Sequence, residues 1–165
     1  MDYGFPWDHV VNEFKYQARP ELAGALAELM AAAVARSAQT LPDGVLPMPL
    51  APQRLAQRGY NQAWELARHV AAAVHRPAWP HGLLRPLDTA PQAGLGRAAR
   101  QHNLRTAFMV EPRHRPALAG RRVALVDDVM TTGATVREAA AALLRAGAGA
   151  VDVWVLARTP ETSAD

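Results

Sequence analysis

A parallel α/β fold, its sheet covered by helices on both faces, is predicted by three features of the sequence. The first is the apolar run Val123–Val126, followed by a helix-forming stretch to about Arg145, a stop at Gly147 and a second, largely apolar strand candidate, Val151–Leu156. Strand, helix and strand within about 34 residues make a right-handed crossover, and the strands of such a unit are parallel. The second feature is a pair of segments, 20–38 and 61–75, that repeat apolar residues at helical spacing. The third is Val45–Leu50, an apolar run that ends in prolines, as suits a strand leaving its sheet. Runs of this kind, apolar without alternation, belong to strands buried on both faces.

In chain order, Pro20 suits the first turn of a helix whose stripe is Leu22, Leu26, Leu29, Met30 and Val34, and Leu41-Pro42-Asp43-Gly44 ends it. After the Val45–Leu50 strand, Asn61 caps a helix to about His75 with Ala63, Leu66, Ala67, Val70 and Val74 facing the core. Residues 82–85 are a weak strand candidate. Residues 88–101 hold Gly, Pro, Gln and Arg without an apolar face and read as a long loop, a type that is often functional. Residues 107–110 suit a brief strand, and 111–120 a surface connection leading to the crossover unit.

With 165 residues, 50% of them apolar and 20% charged, the chain is sized for a single domain spanning 1–165. It has no cysteine, which excludes a disulfide scaffold, a thiolate metal site and a cysteine nucleophile. Apolar runs fall far short of the roughly 20 residues of a membrane span, and the N-terminus lacks the pattern of a signal peptide. A cytoplasmic protein without a membrane span is expected. The net charge of +3 comes from 17 arginines and a single lysine, Lys15. An anionic partner and a mere base-composition bias explain that balance equally well.

The chemistry concentrates in Val123-Ala124-Leu125-Val126-Asp127-Asp128-Val129-Met130-Thr131-Thr132-Gly133-Ala134-Thr135. Two carboxylates follow the apolar strand at its carboxyl end, the edge where open α/β sheets bind ligands, and they are expected to meet solvent there. The small and hydroxyl residues after them supply backbone N–H groups at a helix N-terminus, which favours a phosphate. Carboxylates would repel an anion unless they held something else. The combination therefore suits a sugar phosphate, with Asp127 and Asp128 on ribose hydroxyls directly or through a divalent cation.

Other signals lack support. Gly94-Leu95-Gly96-Arg97-Ala98-Ala99 fits a dinucleotide-binding string but follows no apolar strand. His69, His75 and His81 are spaced six apart and share no helical turn, so no zinc pair forms. The two serines, Ser37 and Ser163, lie outside any nucleophile elbow. The four tryptophans read as core or interface residues, and Lys15 either as a phosphate contact or, by preference, as a surface residue packing its stem on Phe14 and Tyr16.

The thirteen-residue string resembles the phosphoribosyl-pyrophosphate (PRPP) signature of type I phosphoribosyltransferases. Phe14-Lys15-Tyr16, Pro47-Met48-Pro49-Leu50, Arg54-Leu55-Ala56-Gln57-Arg58-Gly59-Tyr60-Asn61-Gln62, Pro91-Gln92 and Arg100-Gln101-His102-Asn103-Leu104 resemble the ComF branch of that superfamily. The resemblance implies a type I phosphoribosyltransferase-like core over 41–157 and a small N-terminal hood within 1–40. It implies that Asp127 and Asp128 hold the ribose and act in catalysis, with Mg²⁺ bound indirectly. Val129, Met130, Thr131, Thr132, Gly133, Ala134 and Thr135 would form the 5-phosphate loop, and Arg54 and Arg58 would meet the pyrophosphate. Arg97 and Arg100 would be catalytic residues on a loop that closes over the site. The acceptor base is not legible. The resemblance also leaves open a single-stranded DNA-binding role in DNA uptake and a non-catalytic, PRPP-responsive role. Many ComF members carry an N-terminal zinc ribbon, for which this sequence has no cysteines.

Overall fold

The computed structural model describes residues 1, 3–16, 19–37, 40–86 and 107–159. Central to it is a parallel sheet of order β1-β2-β3, built from β1 (Gly44–Pro47), β2 (Arg122–Met130) and β3 (Ala150–Arg158). Gly44 pairs with Val123 and Pro47 with Val126, while Arg122 pairs with Ala150 and Met130 with Arg158. The middle strand is thus the one whose tip carries the acids. It runs four residues beyond the Val126 expected from hydropathy, to Met130, because β3 continues alongside it to Arg158 and supplies hydrogen-bond partners that outweigh the polar sequence.

Strand alternation divides the core into two layers. Ala124 and Val126 face α1 (Trp7–Tyr16), α2 (Leu22–Ser37) and α4 (Gln62–Ala73), packing with Val11, Phe14, Leu26, Leu66 and Val70. Val123 and Leu125 face the other way, toward α6 (Ala134–Arg145), with Val136, Ala139 and Leu143. The remaining helical elements are α3 (Pro52–Arg58), a 3₁₀ turn at Pro112–His114 and the short α5 (Arg115–Leu118). Each fully buried Leu or Val contributes about 1.5–3 kcal/mol through lost apolar exposure. The predicted helices over 20–38 and 61–75 and the crossover unit are all present, and helices do cover both faces.

The helix α1 was not apparent from the sequence. Its ten residues bury two apolar side chains, Val11 and Phe14, in the layer shared with α2 and α4. That short pattern is weak without the packing partner. It matters because α1 ends beside the tip of β2.

Candidate functional site

Asp127 and Asp128 lie within β2 rather than after it, and Asp128 does not meet solvent as expected. It is 4% exposed. Its Oδ1 accepts from the Val129 N–H at 2.6 Å and lies 3.2 Å from the Lys15 ammonium. Its other oxygen, Oδ2, is buried with no hydrogen-bond partner among the described residues. Lys15 is correspondingly no surface residue: its side chain is 16% exposed, brought to the acid by the last turn of α1. Asp127 is half-buried, and its Oδ1 accepts the Asp128 N–H at 2.9 Å. Burial, and after it the Asp128 charge, push the Asp127 carboxyl up to about 7, against the Asp128 amide, Lys15 and Arg85.

Past Met130 the chain turns through Thr131, Thr132 and Gly133 into α6. Gly133 sits at φ 70°, where a side chain would be strained. As the N-cap, it has no side chain to cap the helix. Ala134 N–H reaches Thr132 Oγ1 at 3.4 Å, a long contact, so the turn keeps the donors and positive end of a helix N-terminus for an anion. Arg137, one turn into α6, donates from Nη1 to the Thr132 carbonyl at 3.2 Å and adds positive charge beneath the turn.

The facing wall is α3, which starts at Pro52 and ends at Gly59, where φ is 79°. It carries Arg54 and Arg58. The Arg-Gly-Tyr-Asn-Gln block divides its labour between wall and scaffold. The Arg58 guanidinium lies 5.0 Å from the Tyr16 ring centre, a cation–π distance. Gly59 returns its N–H to Leu55 O at 2.9 Å. The Tyr60 hydroxyl donates to Phe14 O and ties α1 to this corner, and burial raises its pKa. Asn61 caps α4 by accepting from Ala63 N–H at 3.0 Å and also donates to Met48 O at 3.1 Å, fixing the exit of β1. Gln62 is 5% exposed and its Oε1 has no partner among the described residues.

These pieces enclose one polar cavity of about 190 Å³. It is lined by Asp127, Asp128, Val129, Met130, Thr131, Gly133 and Thr135 from β2 and the turn after it, and also by Arg54, Arg58, Gln62, Arg85 and Lys15. Thr132 and Ala134 belong to the turn without lining the cavity. A second space, of about 480 Å³, continues past Lys15, Arg54 and Arg58 to Tyr16 and Gln57. Arg97 and Arg100 lie outside the described residues. Lys15, Gln62, Arg85 and Arg137 were not predicted as site residues. For Lys15 and Gln62 the signal was present, since both stand inside family-like blocks, whereas Arg85 and Arg137 carry no local signature. Trp64 lines an apolar groove of about 680 Å³ next to the polar cavity.

The phosphoribosyl transferase domain family matches residues 60–165. DNA utilization protein YhgH of Escherichia coli K12 is 37% identical over 162 residues, covering 96% of this chain and 70% of that protein. This chain belongs to the phosphoribosyltransferase-domain family, in its ComF branch. Competence protein F of Haemophilus influenzae is likewise 35% identical over 157 residues, covering 93% of this chain and 68% of the relative. Among solved structures, glutamine PRPP amidotransferase from Bacillus subtilis, complexed with ADP and GMP, shares the fold. The TM-score is 0.59 at 23% identity, over 88% of this chain and 30% of that one. Among the described residues of this ComF-family chain, no helix is long and apolar enough to cross a membrane.

Proposed function

We propose that this chain binds PRPP together with Mg²⁺ and that its site is built to transfer the phosphoribosyl group to an acceptor. The observation that carries this reading is the shared cavity: two carboxylates, an amide-rich turn and two arginines face the same 190 Å³. A ribose bearing phosphate at one end and diphosphate at the other needs such a division of charge. Asp127 and Asp128 suit the ribose hydroxyls, the turn from Met130 to Thr135 the 5-phosphate, and Arg54 and Arg58 the diphosphate.

The residues fit Mg²⁺ carried mainly by its ligand. No group of three His, Cys, Asp or Glu side chains gathers among the described residues, so the chain alone offers no cage. It offers Asp127 and the unpartnered Oδ2 of Asp128, and one or two carboxylates plus ligand phosphates is how Mg²⁺ is ordinarily held. When bound, the ion neutralises charge building on the departing diphosphate. The protein's own part is electrostatic. Loss of pyrophosphate leaves positive charge on the sugar ring, which the two carboxylates stabilise, while the arginines receive the leaving group. No covalent nucleophile is needed.

Thermal unfolding tests binding. At about 100 times its dissociation constant a ligand adds roughly 2.7 kcal/mol to the folded state, worth roughly 5–10 °C in a domain of this size. PRPP with Mg²⁺ should raise the Tm by that much, and Asp127→Asn with Asp128→Asn should abolish the rise. No shift in the wild type sinks the proposal.

The 480 Å³ space supports a second reading, single-stranded DNA binding: Lys15, Arg54 and Arg58 stand around it with Tyr16 and Gln57, and among the described residues no carboxylate lines it. Relatives named for DNA utilization and competence agree with it. Affinity for a single strand should then fall steeply with salt, and fall again in Arg58→Ala. A salt-independent affinity, or none, removes this reading.

A further inference from the structure

Lys15 is the single lysine of the chain and reaches the site from an element outside the crossover unit. Its helix is fixed by buried Val11 and Phe14 and by the Tyr60 hydroxyl bond to Phe14 O. The ammonium stands 3.2 Å from Asp128 Oδ1. It also lines both polar spaces, together with Arg54 and Arg58. It thus stands beside the acid while lining the same cavity as the two arginines proposed to meet the diphosphate. The remaining oxygen of Asp128, Oδ2, is buried and unpartnered among the described residues.

We infer that Lys15 is the resident counter-ion of Asp128 in the ligand-free protein, that it bars a free divalent cation from the acid pair, and that metal is taken up only with its phosphate ligand. This rests on reading the cavity as a sugar-diphosphate site. A divalent ion approaching Oδ2 alone meets a fixed positive charge beside the same carboxylate, in surroundings that screen far less than water. It must also shed part of its hydration shell, which Mg²⁺ does reluctantly. A ligand that arrives with the metal reverses the balance, because its phosphates attract Lys15, Arg54 and Arg58 together. The consequence is selectivity for the metal–phosphate complex over either component, set by one side chain of α1.

Binding of Mn²⁺ alone, followed by electron paramagnetic resonance with no phosphate compound present, tests this. Wild type and Lys15→Arg should bind no more Mn²⁺ than Asp128→Asn does. The neutral variants Lys15→Met and Lys15→Gln should bind it at least about tenfold more tightly than wild type, from the lost repulsion. That gain should vanish when Asp128→Asn is added to Lys15→Met. Mn²⁺ held by the wild type and lost in Asp128→Asn overturns the inference, as does unchanged affinity in neutral variants that fold by circular dichroism. The comparison of wild type with Asp128→Asn needs no variant at position 15 and decides the matter even where a neutral residue there prevents folding. Because PRPP is absent, failure here leaves the PRPP reading standing, and failure of PRPP to bind leaves the Mn²⁺ result readable.

Discussion

The two walls of the cavity are built differently. The acid wall is the tip of the central strand and the start of a helix that buries Val136, Ala139, Ala142 and Leu143, and Val123 through Val126 beneath it are fully buried. The arginine wall, α3, buries none of its residues. It is held by its ends, through Gly59 and the two hydrogen bonds of Asn61. In the proposed reading, groups that would meet a neutral sugar with fixed geometry stand on the core, and groups that would meet a diphosphate through charge, which tolerates small displacements, stand on an exposed helix.

If this contrast is right, substitutions on the two walls separate stability from binding. The largest effect belongs to Leu125→Ala under the acid wall, which should cost about 2–5 kcal/mol in urea unfolding. Leu55→Ala on α3, where the side chain is 44% exposed, should stay within about 0.5 kcal/mol. Comparable losses at both positions would dissolve the distinction.

Next comes the electrostatic load of the acid wall. The Asp127 carboxyl is raised from 3.8 to about 7 in the folded protein, so its protonated form favours folding. That stabilisation is complete below 3.8 and gone once pH passes about 7, a loss of at most a few kcal/mol. Unfolding free energy should therefore fall over that interval, and Asp127→Asn should flatten the profile and be the more stable protein at pH 8. A steeper fall in the variant than in the wild type would contradict the origin assigned here.

Arg58→Ala should weaken the ligand by about 1.5–3 kcal/mol, the worth of a charge-assisted hydrogen bond, and leave unfolding within about 0.5 kcal/mol. Calorimetric titration with a denaturation curve reads both. A smaller loss than that of ligand binding in Arg58→Ala is expected for Asn61→Ala, about 1 kcal/mol of stability from the lost cap. It should also weaken the diphosphate, since the anchor of α3 at Met48 is lost with it.

The same contrast explains what could be read before folding. Val123–Val126, the helix to about Arg145 and the turn after the acids are local patterns, each set by hydropathy or by the needs of a helix N-terminus, and they stand where expected. The Asn61 cap was legible for the same reason. What failed was the surroundings of the acids. Burial of Asp128 follows from β3 prolonging its pairing with β2 and from α1 folding over the tip, both non-local events. Between the two readings that the sequence allows for Lys15, the surface one fails because a lone lysine between two aromatics looks solvated until the Tyr60 hydroxyl ties α1 to the site. Arg85 reaches the cavity from a segment with almost no pattern, which leaves nothing local to read.

Nuclear magnetic resonance titration of the labelled protein with PRPP and Mg²⁺ tests the central claim most directly. The amides of Thr131, Gly133 and Thr135 and the side-chain signals of Arg54 and Arg58 should move together, along one binding curve, as two walls closing on one ligand require. Shifts confined to α3, or two curves with different midpoints, would show that the walls do not serve the same molecule.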